Sequence, residues 1–127
     1  INTSDAITSA AYTISQNAGA KAIITFSVSG GTTSRMSKER APVQIIGISP
    51  NINTARKLQI MWGVHSCHNQ DAQDTKEMVS IACSVAKDKK IAMPGDPVII
   101  TAGVPFGHAG STNLLRIAKI IADKDLT

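Results

Sequence analysis

The chain has 127 residues, of which 43% are hydrophobic, so it is long enough to form one domain around one continuous core. With one Trp, one Tyr and two Phe, that core must be largely aliphatic, which favours helices packed on a parallel sheet over an all-β sandwich. Thirteen basic and nine acidic residues give a net charge of +4, and the densest charged runs mix both signs, which argues against a nucleic-acid interface.

No segment has the features of a membrane span or a metal site. Apolar stretches fall short of the roughly 18 residues of a membrane helix, and the start lacks the pattern of a signal peptide. In HSCH, His65 and His68 lie too close to the isolated Cys67 for a four-ligand zinc site, so we interpret this segment as a polar strand or loop. We expect a soluble, cytoplasmic protein that contacts no membrane, and the first residue, Ile1, favours a piece of a longer polypeptide.

The first elements are a helix and a buried strand. Residues 2–5 supply N-cap oxygens, and apolar residues then recur at helical spacing, which predicts a helix of about four turns with one buried face. The apolar residues of that face are Ala6, Ile7, Ala10, Ala11, Ile14 and Ala18. Residues 22–26 are short, β-branched and continuously apolar, which is typical of a buried strand.

The middle of the chain alternates helices and strands. Residues 33–40 predict a helix that ends before Pro42, because the residue before a proline avoids the α region. Residues 43–48 predict a second strand, residues 54–62 a short helix, and residues 64–67 a weaker strand. Either Asp71 or Asp74 is expected to cap a longer helix. Its predicted buried stripe is Met78, Ile81, Ala82, Val85 and Ala86.

The last part of the chain contains a turn, a strand and an ambiguous tail. Residues 93–96, MPGD, predict a type II turn before a fourth buried strand at 98–101, and a glycine-rich loop at 103–113 follows. Periodicity leaves residues 114–121 open between a helix and a strand. Strands that alternate with helices predict an α/β domain with a mostly parallel sheet.

Two loops have features of a phosphate-binding site. Ligands of an open parallel sheet bind at the carboxyl ends of its strands, where loops 27–34 and 103–113 begin. The first loop, SVSGGTTS, combines hydroxyl groups, two glycines and a following helix whose free N–H groups suit a dianion. Neither loop matches a nucleotide-binding fingerprint, and residue chemistry alone fits a phosphate cradle and a capped connection equally well.

Catalytic residues are not identified from the sequence. None of His65, His68 and His108 has an evident Ser or Cys partner with an orienting carboxylate. His108 lies in the glycine-rich loop, where it could contact an anion, although a solvated histidine is the simpler interpretation.

Three long motifs occur in order over nearly the whole chain, namely TSDAITSAAYTISQNAGAKAIITFSVSGGTTSRMSKERAPVQIIGISPN, TARKLQIMWGV and PGDPVIITAGVPFGHAGSTNLLR. Together they resemble the C-terminal domain of pyruvate kinase. The resemblance implies one domain over residues 1–127, separated here from its catalytic barrel. It also implies a three-layer αβα fold around a five-stranded mixed sheet with four parallel strands and a last antiparallel strand, which would make the tail a strand.

The resemblance also implies a regulatory role. In this family the enzyme transfers phosphate from phosphoenolpyruvate to ADP on a separate barrel domain that holds Mg²⁺ and K⁺, so this chain alone is expected to be inactive and to hold no metal or cofactor. The C-terminal domain binds an allosteric activator, such as fructose 1,6-bisphosphate, and helps to assemble a homotetramer. The family's phosphate loop corresponds to Ser27, Val28, Ser29, Gly30, Gly31 and Thr32. A second effector loop corresponds to Gly107, His108, Ala109 and Gly110.

One departure from the family decides which effector is expected. Relatives that bind a bisphosphate hold the second phosphate with a Trp and an Arg before the fourth strand. This chain has no Arg between Lys57 and Leu115, and Trp62 belongs to another motif. The expected effector is therefore a sugar monophosphate or a nucleoside monophosphate. The alternatives are a structural module for tetramer assembly with a degenerate effector site, and a stand-alone enzyme on a related fold.

Overall fold

Four helices and five strands make up the described part of the chain. The structure is a computed structural model and describes residues 3–40, 42–70, 72–103 and 112–121. The helices are α1 (Thr3–Ala18), α2 (Gly31–Glu39), α3 (Ile52–Leu58) and α4 (Thr75–Asp88). The strands are β1 (Ala22–Phe26), β2 (Gln44–Ser49), β3 (Val64–His68), β4 (Pro97–Ala102) and β5 (Leu114–Lys119).

The strands form one mixed sheet in the order β3-β2-β1-β4-β5. Strands β1 to β4 are parallel, and β5 pairs with β4 in the antiparallel direction. The predicted five-stranded sheet is confirmed, and the ambiguous tail is a strand from Leu114 to Lys119. The first strand has the predicted bounds, and all five of its residues are buried, as predicted.

Helices cover both faces of the sheet, which confirms three layers. On one face Ala11 of α1 and Met36 of α2 pack with Ile23, Ile45 and Ile99 of the sheet. Leu58 of α3 lies on that same face, because a Cβ built on Gly47 would meet both Leu58 and Thr33. On the opposite face α4 is the helix, among those described, that packs against the larger core cluster. Its fully buried residues are Met78, Ala82, Val85 and Ala86, and Ile81 is half-buried, as the predicted stripe requires.

Helix α1 lies where the sequence predicts a helix, but its buried side is rotated from the predicted apolar face, so that Ala11 is buried and Ile14 only half-buried. Its buried residues are Ser4, Thr8, Ala11 and Ser15, whereas Ala6 and Ala18 are exposed. Burial of these hydroxyl groups costs little because they are hydrogen bonded, those of Thr8 and Ser15 within the helix and that of Ser4 to the N–H of Thr112. The Thr8 hydroxyl donates to the carbonyl of Ser4 at 2.8 Å, and the Ser15 hydroxyl donates to the carbonyl of Tyr12 at 2.6 Å.

The signals for helix ends and turns are mostly confirmed. The Asp74 side chain caps α4 by accepting a hydrogen bond from the N–H of Glu77 at 2.8 Å, while Asp71 lies outside the described residues. The N–H of Asp96 donates to the carbonyl of Met93, which closes the predicted turn. The predicted third helix is too long, because α3 ends at Leu58 and Trp62 lies beyond it. None of the described helices has the length and apolarity that crossing a bilayer requires.

Candidate functional site

The topological switch point of the sheet lies between β1 and β4, where the strand order reverses. From β1 the chain continues through α2 to β2 on one side, whereas β4 lies on the other side of β1. The connections that follow β1 and β4 therefore leave the sheet side by side, and such a crevice is where open α/β sheets bind ligands. Both loops predicted from the sequence begin at this point.

The loop after β1 is fixed by hydrogen bonds at its base. The N–H of Ser27 donates to the carbonyl of Ile48 at 3.0 Å, which extends the pairing of β1 with β2. The carbonyl of Val28 accepts from the hydroxyl of Thr54 at 2.9 Å and from that of Ser49 at 3.4 Å. The loop is therefore tied to the following strand and to α3 before α2 begins.

Gly30 gives the loop its sharp turn into α2. Its φ of 91° lies in the left-handed region, which other residues adopt at a cost, and its N–H donates to Ser27 Oγ at 2.8 Å. The N–H of Gly31 donates to the exposed Ser29 Oγ at 3.4 Å. Helix α2 consequently begins at Gly31, two residues earlier than predicted.

The first turn of α2 retains unpaired backbone donors. No described residue accepts a hydrogen bond from the N–H of Thr32 or of Thr33. This turn also contains no acidic side chain, so nothing on the helix itself offsets the positive end of its dipole. The start of α2 therefore provides both directed donors and a positive potential for an anion.

Arg35 adds a cation that the sequence interpretation missed. A Cβ built on Gly31 would lie 3.5 Å from Arg35 Nη1, so the guanidinium lies close beside the loop. Its Nε also lies 3.5 Å from a carboxylate oxygen of Asp5, which offsets part of its charge. The sequence did contain a signal for this contact, because Gly31 and Arg35 are four residues apart and such residues lie on the same side of a helix.

The loop after β4 meets the first loop at its described end. The hydroxyls of Thr112 and Thr32 are hydrogen bonded to each other, and the N–H of Thr112 donates to Ser4 Oγ at 2.9 Å. Residues 104–111 lie outside the described residues, and with them the predicted site residues Gly107, His108, Ala109 and Gly110.

Hydroxyl groups also lie beneath the site, on the face of the sheet that α1 and α2 cover. Thr25 of β1 and Thr33 of α2 are hydrogen bonded at 2.7 Å. Thr101 of β4 is in register with Thr25 and only 1% exposed, yet its hydroxyl has no hydrogen-bond partner among the residues that the structure describes. The cluster links the sheet to α2 directly behind the loop.

The histidines of HSCH do not converge on one site. His65 and His68 are three positions apart on β3, so their side chains point to opposite faces of the sheet. His65 Nε2 lies 2.7 Å from Gln44 Oε1, and His68 Nε2 lies 3.0 Å from the carbonyl oxygen of Pro50. Within the described ranges no three His, Cys, Asp or Glu side chains are grouped to hold a metal ion.

Comparisons with known proteins agree with this architecture. Residues 5–118 match the model of the family described as "Pyruvate kinase, alpha/beta domain". A pyruvate kinase from Methylorubrum extorquens is 41% identical over 115 residues, which are 91% of this chain and 24% of that protein. A pyruvate kinase from Clostridium acetobutylicum is 35% identical over 116 residues, again 91% of this chain and 24% of the relative.

A solved structure shows the same fold. The crystal structure of a pyruvate kinase from Cryptosporidium parvum matches with a TM-score of 0.84 and 28% sequence identity. The match covers 94% of this chain and 23% of that chain. The present chain thus spans about a quarter of the length of these relatives. Because the family match extends over most of its length, the chain belongs to the family of the C-terminal alpha/beta domain of pyruvate kinases.

Proposed function

We propose that this chain is the effector-binding and assembly domain of a pyruvate kinase, and that residues 27–32 hold the phosphoryl group of the effector. The observation that carries the proposal is the start of α2. There the N–H groups of Thr32 and Thr33 are unpaired among the described residues, and the guanidinium of Arg35 lies beside Gly31. A phosphate dianion matches that combination of donors and charge.

The effector is a sugar monophosphate or a nucleoside monophosphate. One phosphoryl group fits the single turn of free N–H groups, whereas a second would need its own charged partners. The chain has no Arg between Lys57 and Leu115 that could serve as such a partner.

The phosphoryl transfer itself belongs to a longer protein in this proposal. The domain acts with a catalytic barrel that binds Mg²⁺ and K⁺ and transfers phosphate from phosphoenolpyruvate to ADP, and this chain alone is inactive. An effector changes that activity only by binding the active quaternary state more tightly than the inactive one. The two free thiols, Cys67 and Cys83, fit the reducing cytoplasm where such metabolites occur.

The homotetramer is supported by the edge of the sheet. In the described sheet β5 is an edge strand, and edge strands present unpaired backbone groups to other chains. Ile117 on this strand is 51% exposed and Ile121 just beyond its end is 47% exposed, so this edge presents apolar side chains to solvent. We expect a second copy to cover this edge.

A specific observation also favours a second candidate, an assembly module with a degenerate effector site. The loop already uses its own hydroxyls, because Ser27 and Ser29 accept from the N–H groups of Gly30 and Gly31. The Thr32 hydroxyl is likewise bonded to Thr112. A phosphoryl group must replace these internal hydrogen bonds in order to bind. If the internal hydrogen bonds are the more stable, the effector site stays empty.

Calorimetry separates the two candidates. We expect glucose 6-phosphate or AMP to bind the chain, and glucose and adenosine to give no heat of binding. Arg35→Gln should weaken binding about tenfold, which is the size of one lost charge-assisted hydrogen bond. Lys38→Gln is the matched control, since it removes the same charge from an exposed position on the same helix.

The opposite result would support the assembly module alone. If phosphorylated and unphosphorylated ligands behave identically, or if Lys38→Gln weakens binding as much as Arg35→Gln, the loop is not an effector site. Sedimentation then tests assembly independently. We expect the chain to self-associate and Ile117→Lys to shift it towards the monomer, and an unchanged distribution would remove β5 from the interface.

A further inference from the structure

Helices α1 and α2 begin at the same edge of the sheet. Residues 19–21 connect α1 directly to β1, so α1 ends at the amino edge of the sheet and begins at its carboxyl edge. Helix α2 begins at the carboxyl edge as well, because it follows the end of β1 after a short loop. Both helices cover the same face of the sheet. The first turn of α1 therefore lies next to the candidate loop at residues 27–32.

Buried hydrogen bonds fix the first turn of α1 in this place. The N–H of Thr112 donates to Ser4 Oγ at 2.9 Å, and the Thr112 hydroxyl is hydrogen bonded to that of Thr32 in the first turn of α2. The Thr8 hydroxyl donates to the carbonyl of Ser4 at 2.8 Å. Ser4 is only 2% exposed, so solvent does not readily replace these partners. The residue that follows Ser4 in the chain, Asp5, is consequently held close to the start of α2.

An ion pair joins the same two helices at the surface. Arg35 Nε of α2 lies 3.5 Å from a carboxylate oxygen of Asp5, while Arg35 Nη1 lies 3.5 Å from the position that a Cβ of Gly31 would take. The side chains of Arg35 and Asp5 are 38% and 53% exposed, so the pair is partly solvated and adds little to the stability of the fold. The guanidinium can therefore change partners at low cost.

The Asp5 carboxylate and a phosphoryl group at the loop need the same cation. A guanidinium binds carboxylates and phosphates with the same planar set of N–H donors. A phosphoryl group at the start of α2 must therefore take the Arg35 guanidinium from Asp5 or bind without its full contribution. It would also come close to a second anion, because the Asp5 carboxylate reaches the same guanidinium. Asp5 thus opposes an anionic ligand in both ways.

We propose that Asp5 is an internal competitor of the anionic effector, which holds Arg35 in the ligand-free chain and releases it when a phosphoryl group binds at residues 27–32. This inference rests on the proposed function of that loop. The contact is autoinhibitory, since the chain's own carboxylate occupies the cation that the ligand requires.

The competition couples the loop to the first turn of α1. Linkage is reciprocal, so a phosphoryl group that takes Arg35 weakens the hold of α2 on Asp5, and any contact that draws Asp5 away tightens the binding of the phosphoryl group by the same factor. The buried hydrogen bonds of Ser4 keep the rest of this turn in place during the exchange. The first turn of α1 is therefore a point at which the affinity of the loop is adjusted.

Calorimetry with AMP and glucose 6-phosphate on the whole chain tests the proposal at low ionic strength, where the ion pair is least screened. Asp5→Asn removes the charge and keeps the size of the side chain, so it should tighten binding about threefold, as expected for a partly solvated ion pair. Asp5→Glu keeps the carboxylate and should stay close to the parent chain. In an Arg35→Gln chain, which lacks the contested cation, Asp5→Asn should lose most of its effect.

Asp88→Asn is the matched control for the change in net charge. Asp88 lies at the end of α4 on the other face of the sheet, so its replacement should leave the affinity unchanged. Circular dichroism checks that the variants are folded, and Asp5→Ser is a second variant if Asp5→Asn is not.

Two results would contradict the inference, and they can be told apart. If Asp5→Asn binds no more tightly than the parent chain or Asp88→Asn, Asp5 does not compete, although the loop still binds the ligand. If neither the parent chain nor Asp5→Asn binds either phosphorylated ligand, the proposed function of the loop is wrong together with this inference.

Discussion

The hydroxyl groups of Thr32 and Thr112 are hydrogen bonded to each other across 80 positions of the chain. Thr32 belongs to the first turn of α2, and Thr112 lies at the described end of the loop after β4. The N–H of Thr112 also donates to Ser4 near the start of α1. The candidate loop is therefore joined to two other elements, so a ligand bound there contacts a point where three segments meet.

A double-mutant cycle measures this contact. Thr32→Val and Thr112→Val should each lower the free energy of unfolding by about 1 kcal/mol, because each leaves the other hydroxyl without its partner. The double variant should cost about 1 kcal/mol less than the sum of the single variants. Urea denaturation gives all three values, and strictly additive losses would show that the two hydroxyls do not interact.

A second prediction concerns the in-register pair Thr25 and Thr101. Thr101→Val should raise the free energy of unfolding by about 1 kcal/mol, because it removes a buried hydroxyl for which the described part of the chain offers no hydrogen-bond partner. Thr25→Val is the matched control and should lower it by about 1 kcal/mol, since it breaks the hydrogen bond with Thr33. Thermal or urea unfolding checks both, and losses of equal size would mean that Thr101 is satisfied in solution.

Gly47 allows two helices to pack closely on β2. A Cβ at this position would lie 2.9 Å from Leu58 Cδ1 and 3.0 Å from Thr33 Cγ2. Gly47→Ala should therefore lower the free energy of unfolding by about 1–3 kcal/mol through overpacking. A Cβ on Gly31 would make only ordinary van der Waals contacts, so Gly31→Ala should change the free energy of unfolding by less than about 0.5 kcal/mol. If both variants unfolded at the same urea concentration, the packing argument would be wrong.

The pH dependence of the alkylation of Cys83 should reflect the burial of its thiol and the nearby charge of Arg116. Burial raises the pKa of the Cys83 thiol above its ordinary value, and the nearby Arg116 guanidinium offsets part of that rise. Cys83 lines a groove between α4 and β5 whose charged residues are Lys76, Lys87, Asp88 and Arg116, and Lys119 lies at the end of β5. Folding therefore favours the protonated form of the Cys83 thiol. Its contribution to the free energy of unfolding is fully present below the ordinary thiol pKa and decreases as the pH rises towards the raised pKa of the folded chain.

Alkylation rates from neutral to alkaline pH check this prediction. The midpoint for Cys83 in the folded chain should lie above that of the same residue in urea, because only the thiolate reacts. Arg116→Gln should move the folded midpoint further up, since it removes the cation that favours the thiolate. Coincident folded and unfolded profiles would show that the thiol is fully solvated.

Several elements could be predicted because their signals are local. The β1 strand has five consecutive buried residues, and no amphipathic alternative competes with that interpretation. The Asp74 cap and the turn at residues 93–96 depend on hydrogen bonds that span three residues. The candidate loop at residues 27–34 was predicted in the same way, from hydroxyl groups and glycines between a strand and a helix.

Other features could not be predicted because distant residues decide them. Ala6 of α1 resembles a core residue, but Ser4 and Thr8 face the interior instead, since their hydroxyls are bonded to the backbone and to Thr112. Arg35 stands in a run of mixed charge that is typical of a solvated surface. Its spacing of four residues from Gly31 was a signal for this contact, but the predicted helix began at Thr33 and so left Gly31 outside it.

The sequence by itself determined the helices, most of the strands, their alternation and the loop of hydroxyl groups and glycines that precedes α2. Helix caps, turns and hydrophobic periodicity depend on a few neighbouring residues, so they can be predicted from the sequence. The tertiary structure alone decided the strand order, the meeting of Thr32 with Thr112 and the groove beside β5. These depend on which surfaces pack together, and that is set by contacts between residues far apart in the chain.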